Sequence, residues 1–127
     1  MLAAVLALLA SFSWGTSDFV AGVEARQALM AAAHGRLAGG GIDALVLPTT
    51  PAPAVPLSQV DEGGMPGIFT RFVNYLEWCG VSVPVGLTAS GLPIGFQVVT
   101  PRFHDAMALR IARAAETAAG GPLPLPV

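Results

Sequence analysis

The chain has 127 residues, with six arginines and no lysine against eight acidic side chains, and 54% of it is apolar. A net charge of −2 offers no basic stripe to displace counterions from phosphates, so no nucleic-acid partner is expected. The length suits one modest core, and so few charges predict that part of its outside is covered within a larger folded body.

The chain opens on MLAAVLALLA, an apolar run well short of the ~20 residues that span a bilayer. No basic residue precedes it, as one would in a signal peptide. It reads as an apolar helix over 1–15, and no membrane partner is expected. TSDFVAGVEARQALMAAAHGRLAGGG follows as a clear helix. Thr16, Ser17 or Asp18 can cap its start by accepting from unpaired backbone N–H groups. Phe19, Val23, Met30 and Leu37 mark its apolar face, and Gly39, Gly40 and Gly41 end it.

IDALVLP reads as a short buried strand stopped by Pro48. The segment after it, PTTPAPAVPLSQVDEGGMP, is a long loop stiffened by its prolines. PGIFTRFVNYLEWCG then predicts a helix, with Pro66 in its first turn and Phe69, Phe72, Val73, Leu76 and Cys79 on one apolar side. Two Val- and Ile-rich runs around Thr88–Gly91 predict a hairpin over 81–99. Its Pro84 and Pro93 belong at an edge, a bulge or a strand start, since neither can donate to the ladder. HDAMALRIARAAETAAGG predicts a last helix, N-capped by Asp105, with Met107, Ile111 and Ala114 on one face. Residues 119–127 read as an extended tail. No repeat or linker divides the chain, which reads as one partial domain over 1–127.

Reactive groups are few. His34 and His104 have no further ligand at metal-site spacing, so neither a metal nor a cofactor is expected. The single Cys79 excludes an internal disulfide and fits a reducing, cytoplasmic setting. In its aromatic, apolar surroundings it reads as a small core residue rather than a nucleophile. Ser82 lies in a Val/Pro strand with no GxSxG elbow around it. The glycines at 86, 91 and 95 mark a turn and bends rather than a phosphate loop.

The order of these pieces carries more than any one of them. DALVLPTTPAPAVPL, FTRFVNYLEWCGVSVPVGLTASGLPIGFQVV and FHDAMALRIARAAE together resemble the C-terminal part of amidase signature enzymes. The matching positions are Asp43 to Pro51, Thr70 and Asn74, Ser82 to Gly86, Gly91 to Gln97, and Asp105 to Glu116. FVAGVEARQALM resembles the helix before the family's strand, with Arg26 in the usual Arg position. The resemblance runs from about residue 17 to 117. At Glu77, Trp78 and Cys79 the chain is also similar to allophanate hydrolase.

The resemblance implies an α/β fold, the C-terminal part of the amidase signature fold. A few mixed β-strands, the 81–99 hairpin among them, would pack with three to four helices. It implies a family that hydrolyses carboxylic amides, or frees ammonia from glutamine as part of an amidotransferase. The family's nucleophilic serine, second serine in a cis peptide and lysine base have no counterpart in this lysine-free sequence, so no catalytic residue is assigned. A hydroxyl needs such a base to take its proton and N–H groups to hold the oxyanion, and the chain alone is expected to be inactive. Thr49, Thr50, Phe69 and Thr70 become candidates for lining the pocket of a small-molecule amide substrate. For each, capping, turn formation or core packing stands beside that role. Glutamine-using members commonly carry an Asp three residues before the Thr of the helix that carries Thr70 and Asn74, where this chain has Gly67, and the resemblance then favours a general amidase over an amidotransferase component. An N-terminal amidase half or a second copy is the expected partner. The other readings are a non-catalytic module that binds a partner through an exposed apolar face, and a fragment of a glutamine amidotransferase A subunit.

Overall fold

The computed structural model describes residues 22–61 and 66–123. The chain divides into two units, Met1–Arg36 and Leu37–Val127. The described part of the first is helical throughout, and this helix, α1, runs over 22–39 into the start of the second. On its expected apolar face Val23 is exposed and Met30 half-buried, while Leu37, in the second unit, is buried. The expected helix over 1–15, the caps at 16–18, and Phe19 lie outside the described residues.

The second unit is built on a three-stranded antiparallel sheet. Strands β1 (Leu45–Pro48), β2 (Cys79–Leu87) and β3 (Pro93–Thr100) lie in the order β1-β3-β2. The hairpin β2–β3 matches the expected 81–99 span. Its turn is held by the Thr88 side chain, whose Oγ1 accepts from the Leu92 N–H at 3.0 Å. Pro93 starts β3, and Pro84 sits where the register shifts between Pro84 and Gly86, the two kinds of place a residue without an N–H can occupy in a sheet. β1 is less buried than its apolar sequence predicts, with Val46 56% exposed. It is an edge strand, and only alternate residues turn inward.

Helix α3 (Asp105–Ala118) covers one face of β2 and β3. Its expected apolar side is corrected in part. Met107 and Ile111 are half-buried, but Ala114 is exposed, and the deepest residues are Ala108 and Ala112. These two small side chains pack on Val98, with Val81, Val83 and Phe96 around them. An alanine pair lets the helix axis approach the sheet closely, so the bulk of this core comes from the strands. Asp105 is not the N-cap. His104 holds that place without a side-chain cap bond, and Asp105 lies in the first helical turn, where its charge faces the positive end of the helix dipole.

The helix expected over PGIFTRFVNYLEWCG is broken. A 3-10 turn, Pro66–Phe69, leads into a five-residue helix, α2 (Arg71–Tyr75). Val73 and Leu76 are buried, and Phe69 and Phe72 half-buried. Cys79 lies beyond this helix, as the first residue of β2 paired with Thr100, and is not the helix-end residue the periodicity predicts. A Cβ on Gly80 would come within 3.0 Å of Val73 Cγ1, which places α2 on the opposite sheet face from α3.

Among the described residues, α1, α2 and α3 end in the same hydrogen-bond pattern. The N–H groups of Ile42, Trp78 and Gly121 donate to the carbonyls of Leu37, Val73 and Glu116. Those of Gly41, Glu77 and Gly120 donate to Ala38, Asn74 and Thr117. This is the Schellman motif, which needs a left-handed residue at its second-last position. Glycine supplies it at Gly41 and Gly120, whereas in α2 the position falls to Glu77, at φ 56°.

A neutral polar recess as the candidate functional site

The site forms on the sheet face that carries α2. Register places Ser82 beside Gln97 and Leu47 on the other side of Gln97. One step along, the Gly95 carbonyl accepts from the Thr49 N–H at 3.0 Å, so pairing continues one residue beyond β1. Thr49 and Ser82 therefore flank the central strand from opposite sides. Adjacent strands lie about 4.8 Å apart, so side chains two strands apart ordinarily do not meet. They meet here because Gly95 has no side chain between them, and the two hydroxyls hydrogen-bond at 2.5 Å.

Gln97 is 3% exposed, a depth at which a carboxamide needs partners. Its Nε2 donates to the Phe69 carbonyl at 2.9 Å, tying the 3-10 turn to the sheet. Beside it, Thr70 Oγ1 donates to the Gly67 carbonyl at 3.2 Å. Between sheet and α2 lies a recess of about 260 Å³, whose polar lining is Thr49, Thr70, Asn74, Ser82 and Gln97. Val73, Trp78 and Val81 form its apolar wall.

The four residues expected to line a pocket separate here. Thr49 and Thr70 share the recess. Thr50 turns away, with its Oγ1 donating to the Ala52 carbonyl at 2.9 Å, and lines a wider groove with Pro51, Pro53, Val55 and Pro93. Phe69 contributes its carbonyl and does not line the recess. Ser82, Asn74 and Gln97 also line it; the sequence reading names them as family-matching positions but not as pocket lining. Their place follows from strand register and from α2 lying over the sheet, although Ser82 and Gln97 do occupy alternate, same-face positions in their strands.

Among the described residues no acidic, basic or imidazole side chain lines the recess. A hydroxyl nucleophile needs a base within about 2.6–3.2 Å to take its proton, and Ser82 instead bonds another hydroxyl. What the recess can do is hold and orient a neutral polar group. Among the described residues no group of three His, Cys, Asp or Glu could hold a metal ion, and no helix is long and apolar enough to cross a membrane.

Comparison with known proteins gives this geometry its setting. The glutamyl-tRNA(Gln) amidotransferase A subunit of Bartonella bacilliformis is 43% identical over 86 residues, which are 63% of this chain and 17% of that protein. The same-named protein of Acidobacterium capsulatum is 38% identical over 80 residues, 60% of this chain and again 17% of the relative. The chain thus spans about a sixth of the length of these curated relatives. Among solved structures, the glutamyl-tRNA(Gln) amidotransferase A subunit from Thermotoga maritima superposes with a TM-score of 0.71 at 32% identity, covering 80% of this chain and 23% of that one. A 6-aminohexanoate cyclic dimer hydrolase gives 0.52 at 25% identity, over 66% of this chain and 21% of the other. The family model described as Amidase matches residues 14–109, and the chain belongs to the amidase family.

Proposed function

We propose that this chain forms scaffold and one wall of the substrate pocket in an enzyme that hydrolyses the C–N bond of a small carboxylic amide. In this reading Thr49 and Thr70, with Asn74, Ser82 and Gln97, face the substrate. The nucleophile and its base come from the remainder of an amidase fold, in the same polypeptide or in a partner. The observation that carries the reading is a recess rich in neutral hydrogen-bonding groups, with no base among the described residues that line it, in a chain that belongs to the amidase family. A cytoplasmic setting belongs to the reading, supported by the free thiol of Cys79.

A second reading is an ammonia-releasing amidotransferase component, favoured by the names of the curated relatives. Gly67 supports the first. The space a side chain would enter there is bounded by Thr70 Oγ1, at 3.3 Å from a Cβ, and Arg71 Cγ, at 3.7 Å, and the position holds no carboxylate for a substrate ammonium. Both readings meet one experiment: the chain is combined with the complementary N-terminal portion of one of these amidotransferase relatives, and ammonia release is followed from simple amides and from glutamine. Release that requires both pieces supports the proposal. No release from a folded, stoichiometric complex sinks it.

A further inference from the structure

We propose that Gln97 is a positioning residue, whose carboxamide couples the occupant of the recess to the turn that carries Thr70. One end of the amide holds the turn, and the other is left for a hydrogen-bond donor. The inference rests on the reading of the recess as a pocket wall, and concerns how that wall is set rather than which substrate it meets.

Hydrogen-bond accounting at Gln97 carries it. A carboxamide has two N–H protons and an oxygen with two lone pairs, and at 3% exposure these groups are expected to be paired. The partner in the turn is the Phe69 carbonyl, which can only accept. Nε2 must therefore face it, as it does at 2.9 Å, and Oε1 is forced to the other side. Among the described residues this is the one hydrogen bond that the side chain makes. None of the described residues holds a sealed side-chain oxygen or nitrogen without a partner. The unbonded Oε1 is thus not closed in, and it opens on the recess that Gln97 lines. A second Nε2 proton is also left over.

The turn is the part of the wall that needs a tie. Pro66–Phe69 is kinked at Gly67, and α2 has only five residues, too few to hold a helix in water on their own. Thr70, next to Phe69, is the N-cap of α2 and lines the recess with Asn74. Its Oγ1 donates within the turn, to Gly67, and Asn74 already has a partner. Gln97 reaches the turn from the middle strand. A donor bound at Oε1 polarises the amide and makes its Nε2–H the stronger donor, since hydrogen bonds in a chain strengthen one another by about 10–30% each. An occupant that donates therefore tightens the turn, and by linkage a tighter turn raises its affinity by the same factor. An occupant without a donor leaves the turn as it was.

The test follows amide hydrogen exchange of the full chain with acetamide, which can donate, and with N,N-dimethylacetamide, which cannot. At about twice its dissociation constant, acetamide is expected to slow exchange at Thr70 and Val73 about threefold, and dimethylacetamide to leave both unchanged. In Gln97→Met, acetamide is expected to leave Thr70 and Val73 unchanged even where it still slows Val98. Leu76→Val loosens α2 at a buried residue without touching the carboxamide. It is expected to raise the exchange rate of the free chain at Thr70 and to keep the threefold factor, which separates coupling from simple support of the turn. Equal protection by the two amides, protection kept in Gln97→Met, or no protection of Thr70 in the folded chain overturns the proposal. Ammonia release by the reconstituted pair with no protection at Thr70 would sink the coupling and leave the hydrolase reading intact. Protection through Gln97 without any ammonia release would do the reverse.

Discussion

Gly95 lies so close under Thr49 that a methyl group on its Cα would stand 2.6 Å from Thr49 Oγ1 and 2.9 Å from Thr49 Cβ. The same methyl would stand 3.2 Å from Ser82 Oγ. The glycine therefore holds open the gap through which the outer strands touch. Thr49 cannot simply move aside, because its N–H is bonded to the Gly95 carbonyl.

Gly95→Ala is accordingly expected to cost about 1–3 kcal/mol, the range for an added methyl in a filled site. Gly86→Ala is the control, since a Cβ there meets nothing within 4 Å, and it should change stability by less than about 1 kcal/mol. Urea midpoints at equal slope check the pair of variants. Equal midpoints for the two would show that Thr49 and Ser82 do not depend on the gap.

Glu77 stands in the left-handed region at φ 56°, where a Cβ meets the following carbonyl and costs about 1–2 kcal/mol. Its carboxylate pairs with Arg102 at 3.2 Å, both side chains being more than a third exposed. Such a pair is worth about 0.2–1 kcal/mol and is screened by salt. Glu77→Gly trades the pair and some unfolded-state entropy for relief of the backbone, and is expected to gain about 0.5 kcal/mol, more at high salt. Glu77→Ala keeps the strain and loses the pair, and should be the less stable of the two. Thermal melts at low and high salt test the order, and Ala matching Gly would remove the strain argument.

How much of this was legible in the sequence depends on how local each feature is. The hairpin could be read from alternating β-branched residues and two prolines, and α3 from its spacing, because both patterns lie within the element. The break in the 66–79 helix could not. It depends on Trp78 and Glu77 turning their N–H groups back onto Val73 and Asn74 so that Cys79 can join the sheet. The recess was legible only in part. Thr49, Ser82 and Gln97 are far apart in sequence, and a one-residue slip of either ladder would turn Ser82 or Thr49 to the other face. Thr50, equally polar and adjacent to Thr49, faces away for that same reason.

Ala112 is 2% exposed and packs on Val98 beneath α3. Ala112→Leu adds three carbons in the buried contact between helix and sheet, and is expected to cost about 1–3 kcal/mol through overpacking. Ala106→Leu lies on the exposed side of the same helix and should cost less than about 0.5 kcal/mol. Denaturant titration distinguishes them. A stable Ala112→Leu chain would mean that α3 moves freely on its sheet.

The bond from Gln97 Nε2 to the Phe69 carbonyl ties the turn before α2 to the middle strand. Gln97→Met keeps the length and burial of the side chain but removes the donor. The Phe69 carbonyl is then left without this partner, at a cost of about 1–3 kcal/mol where water cannot replace it. The loss should also be local. Thr70 N–H donates to Gly67 and Val73 N–H to Thr70, and both bonds depend on the turn staying in place. Hydrogen exchange at Thr70 and Val73 is therefore expected to accelerate more than exchange at Val98 in the sheet. Uniform acceleration across all three would mean that Gln97 supports global stability only. No acceleration at Thr70 would mean that the recess keeps its wall without this bond, and that the turn is held by the buried Val73 and Leu76.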